Sequence, residues 1–588
     1  MYKTIGKIMR GRKRVGFIFL DKNGKEVKLS DTEIKKKIRS GCQFDIHFTS
    51  SGFRFVDSGK RIADLKEYKY NELLTTKRVR VSIKRALPKN VYTGNELKEL
   101  AERQVSGSKH RKFVDNIINH IKRKNANITN VIAVSGLRGV GKTFGLLQVI
   151  ESIDDYDNCL FVTIDENEGL NCESIRLLLD KYYKSKKYII IDEVSRVKGI
   201  IKNSGFLYDK YCSNGNVVMI SGTDSFSISC AKGYGLYHRA ILTNVTYIPF
   251  EDAYNTSGQS FDDYIEYGGL YEQDRIRSSG DLEEYIDTAI IDNIVNSLKR
   301  NKDVERYNRL YSINGHKLRT FVFQVLYRIV YDGNYKSNDK YTKSLIDRYD
   351  WSNTLYDTWE EVKSYIFQLY NLEENLDVPK EDENVILNCL LKLGIIVKAE
   401  NMANPLESNY YIVNTSMGNQ ILKDIHKVYE SIAVEKRNGR KFNGVKGSLL
   451  ESVIASHLYK YCCTHGYELL YYRKDSREEI DFVIRNDNSK KIFIEVKYTS
   501  VSDEAVMKAM WINQVEKEDT DVIKRYIIYR GDTKVFNGFE NKAERNGTKS
   551  FTVDEMEQSN KGVELINAIE FISNTSKYVD IIDSIEEE

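Results

Sequence analysis

The amino-acid sequence predicts a multidomain α/β protein. At 588 residues the chain is too long for one hydrophobic core, since single cores stop growing at about 250–300 residues. Between residues 128 and 252, strand-like apolar runs alternate with helical stretches, which is typical of a parallel sheet covered by helices. A second alternation occupies residues 440–545, and the region between the two is mainly helical.

These patterns divide the chain into six predicted segments. They are a small basic β module (1–65), a basic helical linker (66–127), the parallel α/β core (128–252), a helical lid and winged-helix region (253–425), the second α/β domain (440–545), and a C-terminal helix with an acidic tail (546–588). The winged helix is predicted from the helical run 384–394, which ends at Gly394, and from the strand-like runs 395–398 and 410–413. The C-terminal helix is predicted near 562–573.

Charge is divided unequally along the chain. Residues 1–125 carry 32 basic and 13 acidic side chains, a net charge of +19, whereas residues 126–588 carry 57 basic and 72 acidic ones, a net charge of −15. A strongly basic segment favours a polyanionic partner. The sequence therefore predicts that the amino-terminal part contacts nucleic acid, with DNA favoured over RNA.

Apolar runs and cysteines indicate the expected compartment. The longest apolar runs are strand-sized, well below the roughly 20 residues that cross a bilayer, and residues 1–7 have no apolar stretch after their charges. The eight cysteines include no Cys-x-x-Cys pair. A cytoplasmic protein with free buried thiols, no membrane partner and no structural zinc is therefore expected.

The basic module is predicted to contain a β-hairpin, formed by Arg14–Leu20 and Lys25–Leu29 around the turn Asp21-Lys-Asn-Gly24. Aromatic residues alternate with charged ones in this module: Tyr2, Phe17, Phe19, Phe44, Phe48, Phe53 and Phe55. Two interpretations of these rings remain open. Either they stack on the bases of a nucleic acid, or they form the core of the module while the lysines face solvent.

The strongest chemical signal is Gly136-Leu-Arg-Gly-Val-Gly-Lys-Thr143. It has the spacing G-x-x-x-x-G-K-[ST] of a P-loop and lies between a strand-like and a helical run. The glycines of such a loop let backbone N–H groups curl around phosphates: Gly136, Gly139 and Gly141. Lys142 is then expected to reach the β and γ phosphates, and the Thr143 hydroxyl to bind Mg²⁺. ATP and Mg²⁺ are the predicted ligands.

Two carboxylates end the apolar run Tyr188-Ile-Ile-Ile-Asp-Glu193. Asp192 is expected to hold Mg²⁺ and Glu193 to polarise the attacking water, because catalysis of phosphoryl transfer is largely positioning and charge neutralisation. One further strand-like run, Leu160–Ile164, lies between the P-loop and this pair. That insertion is typical of ATPases with a glutamate base, so hydrolysis is predicted in preference to nucleotide storage.

Polar residues beyond the next strand complete the predicted nucleotide site. Thr223 and Asp224 follow the strand-like run Val217–Ile220 and are candidates to sense the γ-phosphate, although an ordinary turn uses the same residue types. Arg239 is a candidate arginine finger or sensor, with an ordinary surface arginine as the alternative.

A second constellation of charged residues lies in a predicted hairpin at 479–497. Asp481 begins its first strand, and Glu495 and Lys497 lie two apart on the second strand, hence on the same face. Glu451, on an upstream helix, adds a third carboxylate. Such carboxylates can hold a divalent ion while a lysine helps to position a phosphodiester. We therefore predict metal ligation by Glu451, Asp481 and Glu495 and catalytic roles for Asp481, Glu495 and Lys497, with a salt-bridged surface hairpin as the alternative.

These motifs together resemble a known family. The P-loop, the Asp192-Glu193 strand, the segment Ser221-Gly-Thr223 and the stretch from His238-Arg239 to Leu270 resemble the prokaryotic, archaeal-type ATPases of the AAA-like superfamily. Leu270-Tyr271 stands where Gly-Phe-Pro is common in that family.

The later motifs resemble the PD-(D/E)xK nuclease-like domain that follows in these proteins: Gly447-x-x-x-Glu451, Tyr472-Arg473, Glu479-Ile-Asp481-Phe and Ile494-Glu495-Val-Lys497. The resemblance covers roughly residues 110–545. It implies an ATPase core, a winged helix and a restriction-endonuclease-like domain, in that order.

Two functional hypotheses follow. In the first, ATP hydrolysis drives DNA binding or metal-dependent DNA cleavage, in a role such as mobile-element control or defence. In the second, the ATPase is a switch whose nuclease-like domain is inactive and docks DNA or a protein. Assembly into a homo-oligomer is a further expectation under both.

Overall fold

The computed structural model describes residues 2–10, 13–21, 26–39, 42–49, 52–56, 61, 65–69, 88–123, 131–165, 168–223, 228, 235–300, 313–333, 354–373, 376–435, 445–474, 479–500, 521–535 and 563–583. The chain forms two compact units, Met1–Ala86 and Leu87–Glu588.

The amino-terminal unit is a small β module. Its elements are β1 (Lys3–Arg10), β2 (Lys13–Leu20), β3 (Glu26–Ser30), α1 (Asp31–Arg39), β4 (Ile46–Thr49), β5 (Gly52–Phe55) and β6 (Lys66–Lys69). Four strands form a sheet in the order β3-β2-β1-β6, and β4 pairs with β5. β2 and β3 are antiparallel, as predicted for the hairpin, while the turn residues 22–25 lie outside the described residues. Because β6 pairs with β1, the module extends beyond the predicted boundary at residue 65.

Aromatic side chains form the core of this module. The buried rings are those of Phe17, Phe19, Phe44 and Phe53. Tyr2 stacks on Phe44 with 4.7 Å between ring centroids. The side chains of Phe48 and Phe55 are not among those described. For the rings that are described, the structure supports the interpretation as an internal core, and the buried ones do not offer a face to nucleic-acid bases.

The second unit begins with a six-stranded sheet, called here the P-loop sheet. Its strands are β7 (Asn90–Tyr92), β8 (Val131–Ser135), β9 (Cys159–Thr163), β10 (Tyr188–Asp192), β11 (Val217–Gly222) and β12 (Ala240–Asn244). Their order is β12-β8-β11-β10-β9-β7, with β8 to β12 parallel and β7 antiparallel at one edge. The predicted parallel α/β core is confirmed. β11 lies between the P-loop strand β8 and the Asp192 strand β10, so the two motifs end at the same edge of the sheet.

Helices cover this sheet on both faces. They are α2 (Gly94–Val105), α3 (Lys112–Arg123), α4 (Lys142–Ile153), α5 (Cys172–Tyr182) and α6 (Ile200–Asn203). α2 and α3 pack against α4 and bury apolar side chains such as Leu97 and Ile117. Residues 88–123, predicted to belong to a linker, are therefore part of the α/β core, because their apolar faces complete its helical layer.

The middle of the chain is helical, as predicted. Its helices are α7 (Phe250–Ser257), α8 (Phe261–Tyr267), α9 (Ser279–Tyr285), α10 (Asp292–Arg300), α11 (Gly315–Tyr331), α12 (Thr354–Leu369), α13 (Lys380–Leu393), α14 (Thr415–Glu435) and α15 (Val445–His465). Asp424 on α14 is fully buried and accepts hydrogen bonds from the hydroxyls of Tyr327 (2.8 Å) and Tyr370 (2.9 Å). These bonds tie α11 and the end of α12 to α14.

An eight-stranded C-terminal sheet follows. Its strands are β13 (Ile396–Asn401), β14 (Ser408–Ile412), β15 (Glu468–Arg473), β16 (Glu479–Arg485), β17 (Lys491–Val496), β18 (Val522–Tyr529), β19 (Lys534–Val535) and β20 (Val563–Asn567). The order is β14-β13-β15-β16-β17-β18-β20-β19. The short helices α16 (Ala568–Ser573) and α17 (Thr575–Val579) come after β20. β16 and β17 are antiparallel neighbours, as the predicted hairpin requires.

At two places the structure of this sheet differs from the sequence prediction. The strands predicted as a free wing, β13 and β14, form a hairpin, but β13 also pairs with β15 and so extends the C-terminal sheet. The segment 562–573, predicted as a helix, is the strand β20 followed by α16, and β20 pairs with β18. In both places a strand partner distant in sequence decides the structure. The tail therefore contributes to the sheet that was predicted to end near residue 545.

No helix in the described ranges is long and apolar enough to cross a membrane. The cysteines among these residues are free thiols.

Candidate functional site

The P-loop connects β8 to the first turn of α4 at the carboxyl edge of the P-loop sheet. Gly139 and Gly141 have φ angles of 80° and 77°, in the left-handed region that favours glycine. A Cβ atom on Gly141 would lie 2.1 Å from the ring of Tyr271, and one on Gly136 would lie 1.9 Å from the carbonyl oxygen of Val245. Glycine is therefore required at these positions by conformation and by close contact.

Lys142 is buried inside the loop, with 4% of its surface exposed. Its Nζ donates a hydrogen bond to the carbonyl oxygen of Leu137 at 2.7 Å. Burial lowers the pKa of Lys142, and the nearby carboxylates of Glu193 and Asp192 oppose that shift only in part. The ammonium group thus has a neutral hydrogen-bond partner and lacks a full counter-charge, which suits a group that meets an anionic ligand.

Asp192 connects the two predicted metal-side residues. Its Oδ2 accepts a hydrogen bond from the Thr143 hydroxyl at 2.7 Å, and its Oδ1 accepts a short one from the Ser221 hydroxyl. Burial raises the pKa of Asp192, and the Glu193 carboxylate adds to the shift, while these two hydrogen bonds and Lys142 oppose it. Parallel strands bring Thr143, Asp192 and Ser221 to one edge. Sequence reasoning identified the first two but not Ser221, whose place follows from β11 lying beside β10.

Glu193 follows directly and has an unusual backbone. Its φ of 57° is left-handed, which is uncommon for a residue other than glycine and occurs most often at functional sites. Its Oε2 accepts hydrogen bonds from the Thr223 hydroxyl at 2.7 Å and from the Thr223 N–H at 3.3 Å. Arg196 Nε lies 3.7 Å from the same oxygen. The structure thus places Thr223 against the predicted base, while Asp224 lies outside the described residues.

Arg239 is not brought to this site. It precedes β12, and its carbonyl oxygen accepts a hydrogen bond from the N–H of Val131, the first residue of β8. Arg239 therefore lies at the amino edge of the sheet, opposite the P-loop, and its guanidinium pairs with Asp209 at 3.1 Å. Within this chain Arg239 thus lies away from the predicted nucleotide site, because residues before a parallel strand lie at the edge away from the loop, and its role as arginine finger or sensor stays a prediction.

Arg111 supports the P-loop from behind, a role that sequence reasoning missed. Its side chain is 3% exposed, pairs with Asp252 at 2.9 Å, and donates to the carbonyl oxygens of Val140 and Tyr247. Val140 belongs to the P-loop, so this buried guanidinium fixes the loop backbone to α7. The spacing of the sequence gave no signal for this contact, since Arg111 and Val140 meet only through tertiary packing.

The segment after α8 covers the P-loop. Tyr271 donates its backbone N–H to the carbonyl oxygen of Gly139 at 3.0 Å, and the Tyr271 ring lies 5.8 Å from the Phe144 ring. A Cβ atom on Gly139 would lie 2.9 Å from the Cβ of Asp274. The position at which the sequence departs from Gly-Phe-Pro is thus in direct contact with the phosphate loop.

The C-terminal cluster brings three predicted residues into contact. Lys497 Nζ lies 2.7 Å from Glu495 Oε1 and 3.8 Å from Asp481 Oδ2. Asp481 Oδ2 also accepts the backbone N–H of Val496 at 2.7 Å. Burial alone would lower the pKa of Lys497, but Glu495, Asp481 and Glu451 outweigh it and raise the pKa. Lys497 is therefore protonated, and its positive charge is paired with carboxylates of the cluster.

Glu451 lies near this cluster, where burial raises its pKa well above the ordinary value and the Asp481 carboxylate adds to the shift. Glu479 also has a raised pKa from burial, opposed by Arg473, whose Nη2 lies 2.5 Å from it. Across the described ranges, no group of three or more histidine, cysteine, aspartate or glutamate side chains is placed to hold a metal ion. Lys497 pairs with Asp481 and Glu495, two of the three predicted ligands, and the charges of these two carboxylates help to raise the pKa of the third, Glu451.

Two segments of the chain match families of known proteins. Residues 129–253 match an "AAA domain" family, and residues 446–544 match a "Domain of unknown function (DUF4143)". An uncharacterized protein of Methanocaldococcus jannaschii is 23% identical over 408 residues, which cover 65% of this chain and 78% of that protein.

Similarity to solved structures is weaker. AMPPCP-bound DnaA from Aquifex aeolicus aligns with a TM-score of 0.23 and 13% identity, over 59% of this chain and 95% of DnaA. C. elegans PCH-2 aligns with a TM-score of 0.21 and 13% identity, over 27% of this chain and 48% of PCH-2, so the matched part spans about half of that protein. Scores of this size do not establish a shared overall fold. The segment that matches the AAA domain family contains the P-loop and the strand that ends at Asp192.

Proposed function

We propose that this protein hydrolyses ATP and couples hydrolysis to the binding of DNA. The observation that carries the first half is the hydrogen-bonded set Thr143, Asp192 and Ser221 beside the buried ammonium of Lys142. Hydroxyl and carboxylate oxygens are ligands that suit Mg²⁺, and an under-neutralised ammonium suits a phosphate.

Each residue then has a defined task. Lys142 exchanges its bond to the Leu137 carbonyl for a phosphate oxygen, and Thr143 and Asp192 hold Mg²⁺ directly or through water. A Mg²⁺ ion held by these two residues would supply positive charge against the charge that develops on the phosphates. Glu193 orients the attacking water, and Thr223 fixes the carboxylate that does so, at 2.7 Å.

ATP hydrolysis by the wild type, Lys142→Ala and Asp252→Asn tests this proposal. We expect Lys142→Ala to abolish nucleotide binding and turnover. Asp252→Asn, which alters the support of the loop but no predicted phosphate contact, should keep measurable binding. Equal hydrolysis by the wild type and Lys142→Ala would remove the basis for an ATPase at this site.

The proposed coupling between hydrolysis and DNA binding is supported by a chain of contacts within the second unit. The P-loop contacts Tyr271, the segment after α8, while Asp262 on α8 accepts hydrogen bonds from Arg530 at 2.7 Å and Tyr498 at 3.2 Å. Tyr498 adjoins Lys497 in the carboxylate cluster. We infer that a change at the phosphates moves α8 and, through it, the C-terminal sheet.

The basic amino-terminal unit supplies the proposed DNA contact. Because the rings of Phe17, Phe19, Phe44 and Phe53 are buried, we assign the binding mainly to the positive charge of this unit, and affinity should then depend steeply on salt. Deleting residues 1–86 should flatten the plot of log affinity against log salt concentration. An unchanged slope would place DNA binding elsewhere.

For the C-terminal domain we favour the docking role. The Lys497 ammonium pairs with both Asp481 and Glu495, so a metal ion would have to compete with this cation for the two carboxylates. A metal-dependent nuclease is the second candidate, favoured by the convergence of Asp481, Glu495 and Lys497. Incubation with linear, circular and single-stranded DNA in Mg²⁺ or Mn²⁺ separates the two: cleavage by the wild type that is lost in Asp481→Asn would establish the nuclease.

A further inference from the structure

A basic and aromatic surface lies on the ATPase domain, away from the nucleotide. It is formed by Lys181, Tyr182, Tyr183, Lys184, Lys187 and Lys210, and is called here the lysine–tyrosine strip. The first five follow one another from the end of α5 to the start of β10, and Lys210 precedes β11. Because β10 and β11 are parallel to β8, the strip lies at the amino edge of the sheet, opposite the P-loop.

The charges of the strip are largely uncompensated. Lys181, Lys184 and Lys187 are exposed, and within the described ranges none of them forms an ion pair with a carboxylate. Each ammonium instead lies over a tyrosine ring: Lys181 over Tyr182 at 4.8 Å, Lys184 over Tyr183 at 5.9 Å, and Lys187 over Tyr188 at 5.2 Å. These lysines therefore contribute their positive charge to the surface.

Contacts join the strip into one surface. Lys210 Nζ lies 5.9 Å from the centre of the Tyr183 ring and pairs with Asp180 at 2.5 Å. The Asn216 side chain donates to the carbonyl oxygens of Tyr183 (2.8 Å) and Lys186 (2.6 Å), which fixes this loop to the start of β11. The strip is thus attached to the sheet core by backbone contacts, and its exposed side chains have a fixed base.

The composition of the strip stands out from its surroundings. Residues 126–588 carry 57 basic and 72 acidic side chains, yet residues 181–188 contain four lysines, three tyrosines and no acid. Tyr182 and Tyr183 pack partly against the sheet core, and the rest of each ring is exposed between the lysines. Positive charge along a path of partly exposed aromatic rings is what a single-stranded polynucleotide requires, since its phosphates pair with cations and its bases stack on rings.

We propose that the lysine–tyrosine strip binds single-stranded nucleic acid. This inference rests on the proposed coupling between ATP hydrolysis and DNA, and it identifies a second contact on the ATPase domain itself. Strand β10 begins at Tyr188, beside Lys187, and ends at Asp192, next to Glu193, so a buried strand runs from the strip to the predicted catalytic base.

Fluorescence anisotropy with a labelled 20-nucleotide oligo(dT) tests the strip in the full-length protein. The variant Lys181→Glu/Lys184→Glu/Lys187→Glu is compared with Lys98→Glu/Lys380→Glu/Lys392→Glu, which changes the net charge equally at exposed lysines outside the strip. We expect the strip variant to bind about tenfold or more weakly and its salt slope to fall by about 2, since each phosphate contact on a single strand contributes about 0.7. The control variant should keep the wild-type slope.

Tyr182→Ala and Tyr182→Phe test the stacking part. Alanine should weaken oligo(dT) binding, by about fivefold or more, whereas phenylalanine, which keeps a ring, should restore it. The proposal would be overturned if the strip and control triple variants weakened oligo(dT) binding equally. It would also be overturned if the protein bound duplex DNA as tightly as oligo(dT) and the strip variant weakened both to the same extent. ATP hydrolysis is measured on the same proteins without DNA, so an inactive ATPase would count against the proposed function while the anisotropy data decide on the strip.

Discussion

The ATP site and the C-terminal cluster each contain a buried lysine near carboxylates, but the pKa values of the two lysines are shifted in opposite directions. Lys142 bonds to a backbone carbonyl and has a lowered pKa, with burial as the main cause. Lys497 pairs with Glu495 and Asp481, which overcome the effect of burial and raise its pKa. In the ATP site, moreover, the carboxylates bond to hydroxyl groups of Thr143, Ser221 and Thr223, all neutral partners.

This difference shows which site is built to receive a charged ligand. In the ATP site Lys142, Asp192 and Glu193 have neutral hydrogen-bond partners that a metal ion or a phosphate can replace, and the ion pair between Arg196 and Glu193 involves neither Lys142 nor Asp192. In the C-terminal cluster a ligand must first separate a lysine from two carboxylates. Separating partly buried charges is costly unless new partners compensate for the loss. Motif spacing alone does not distinguish the two situations, because both sites have the residue types that their chemistry requires.

The largest expected effect is on catalysis at Glu193. Glu193→Gln keeps the shape of the side chain and its contact with Thr223 but removes the negative charge that orients water. We expect kcat for ATP hydrolysis to fall by about 10²–10⁴-fold, the usual contribution of a general base, with ATP affinity nearly unchanged. Initial rates and a nucleotide-binding titration measure the two quantities. A wild-type kcat in Glu193→Gln would mean that another group activates the water.

A matched pair of lysine substitutions tests the comparison directly. Lys497→Met leaves Asp481 and Glu495 without their counter-charge, so we expect the free energy of unfolding to fall by about 3 kcal/mol. Lys142→Met removes a poorly compensated buried charge and should leave stability within about 1 kcal/mol of the wild type. Urea denaturation measures both. The comparison fails if Lys142→Met is as destabilising as Lys497→Met.

The sequence predicted best what depends on neighbouring residues. The P-loop, the Asp192-Glu193 pair and the parallel core could be located because strand, loop and helix follow one another along the chain. Parallel pairing then brings the carboxyl ends of the strands to one edge, which is why Thr143 and Asp192 meet at 2.7 Å. The same rule places Arg239 at the edge away from the P-loop of its own chain, since it comes before its strand.

What the sequence missed depends on partners distant in the chain. β13 joins β15, and β20 joins β18, across more than 30 residues of sequence, and no local periodicity encodes such pairings. Arg111 reaches Val140 only because α3 packs on α4. The pairing of Lys497 with both Asp481 and Glu495 likewise depends on the register between β16 and β17 and on the side chains that meet there.

The stability of the C-terminal domain should also depend on pH, through a group that lies outside the ATP site. Burial lowers the pKa of His457 on α15 to about 4, and Lys460 and Lys112 add to the shift. In the unfolded chain His457 binds a proton near pH 6.5, whereas in the folded chain it does so only near pH 4. The free energy of unfolding therefore falls as the pH decreases through that interval. We expect a loss of about 2–3 kcal/mol attributable to this group.

Urea denaturation of the wild type and His457→Gln, at pH 7 and pH 4.5, measures this loss. Subtracting the pH dependence of the variant from that of the wild type isolates the histidine from other titrating groups. The same loss of stability in both proteins would show that His457 is not the group responsible.

The smallest expected effect concerns the contact between Thr223 and Glu193. Thr223→Val keeps the volume of the side chain but removes the hydroxyl that donates to Glu193 Oε2 at 2.7 Å. If that bond orients the base, kcat should fall by about 5–10-fold, about 1 kcal/mol, the value of a typical hydrogen bond. The double variant Thr223→Val/Glu193→Gln should then lose little beyond Glu193→Gln alone, because the hydroxyl acts through a carboxylate that is already gone. Additive losses in initial rates would instead indicate that Thr223 contacts the phosphate directly. The Thr223 hydroxyl would then act independently of the Glu193 carboxylate.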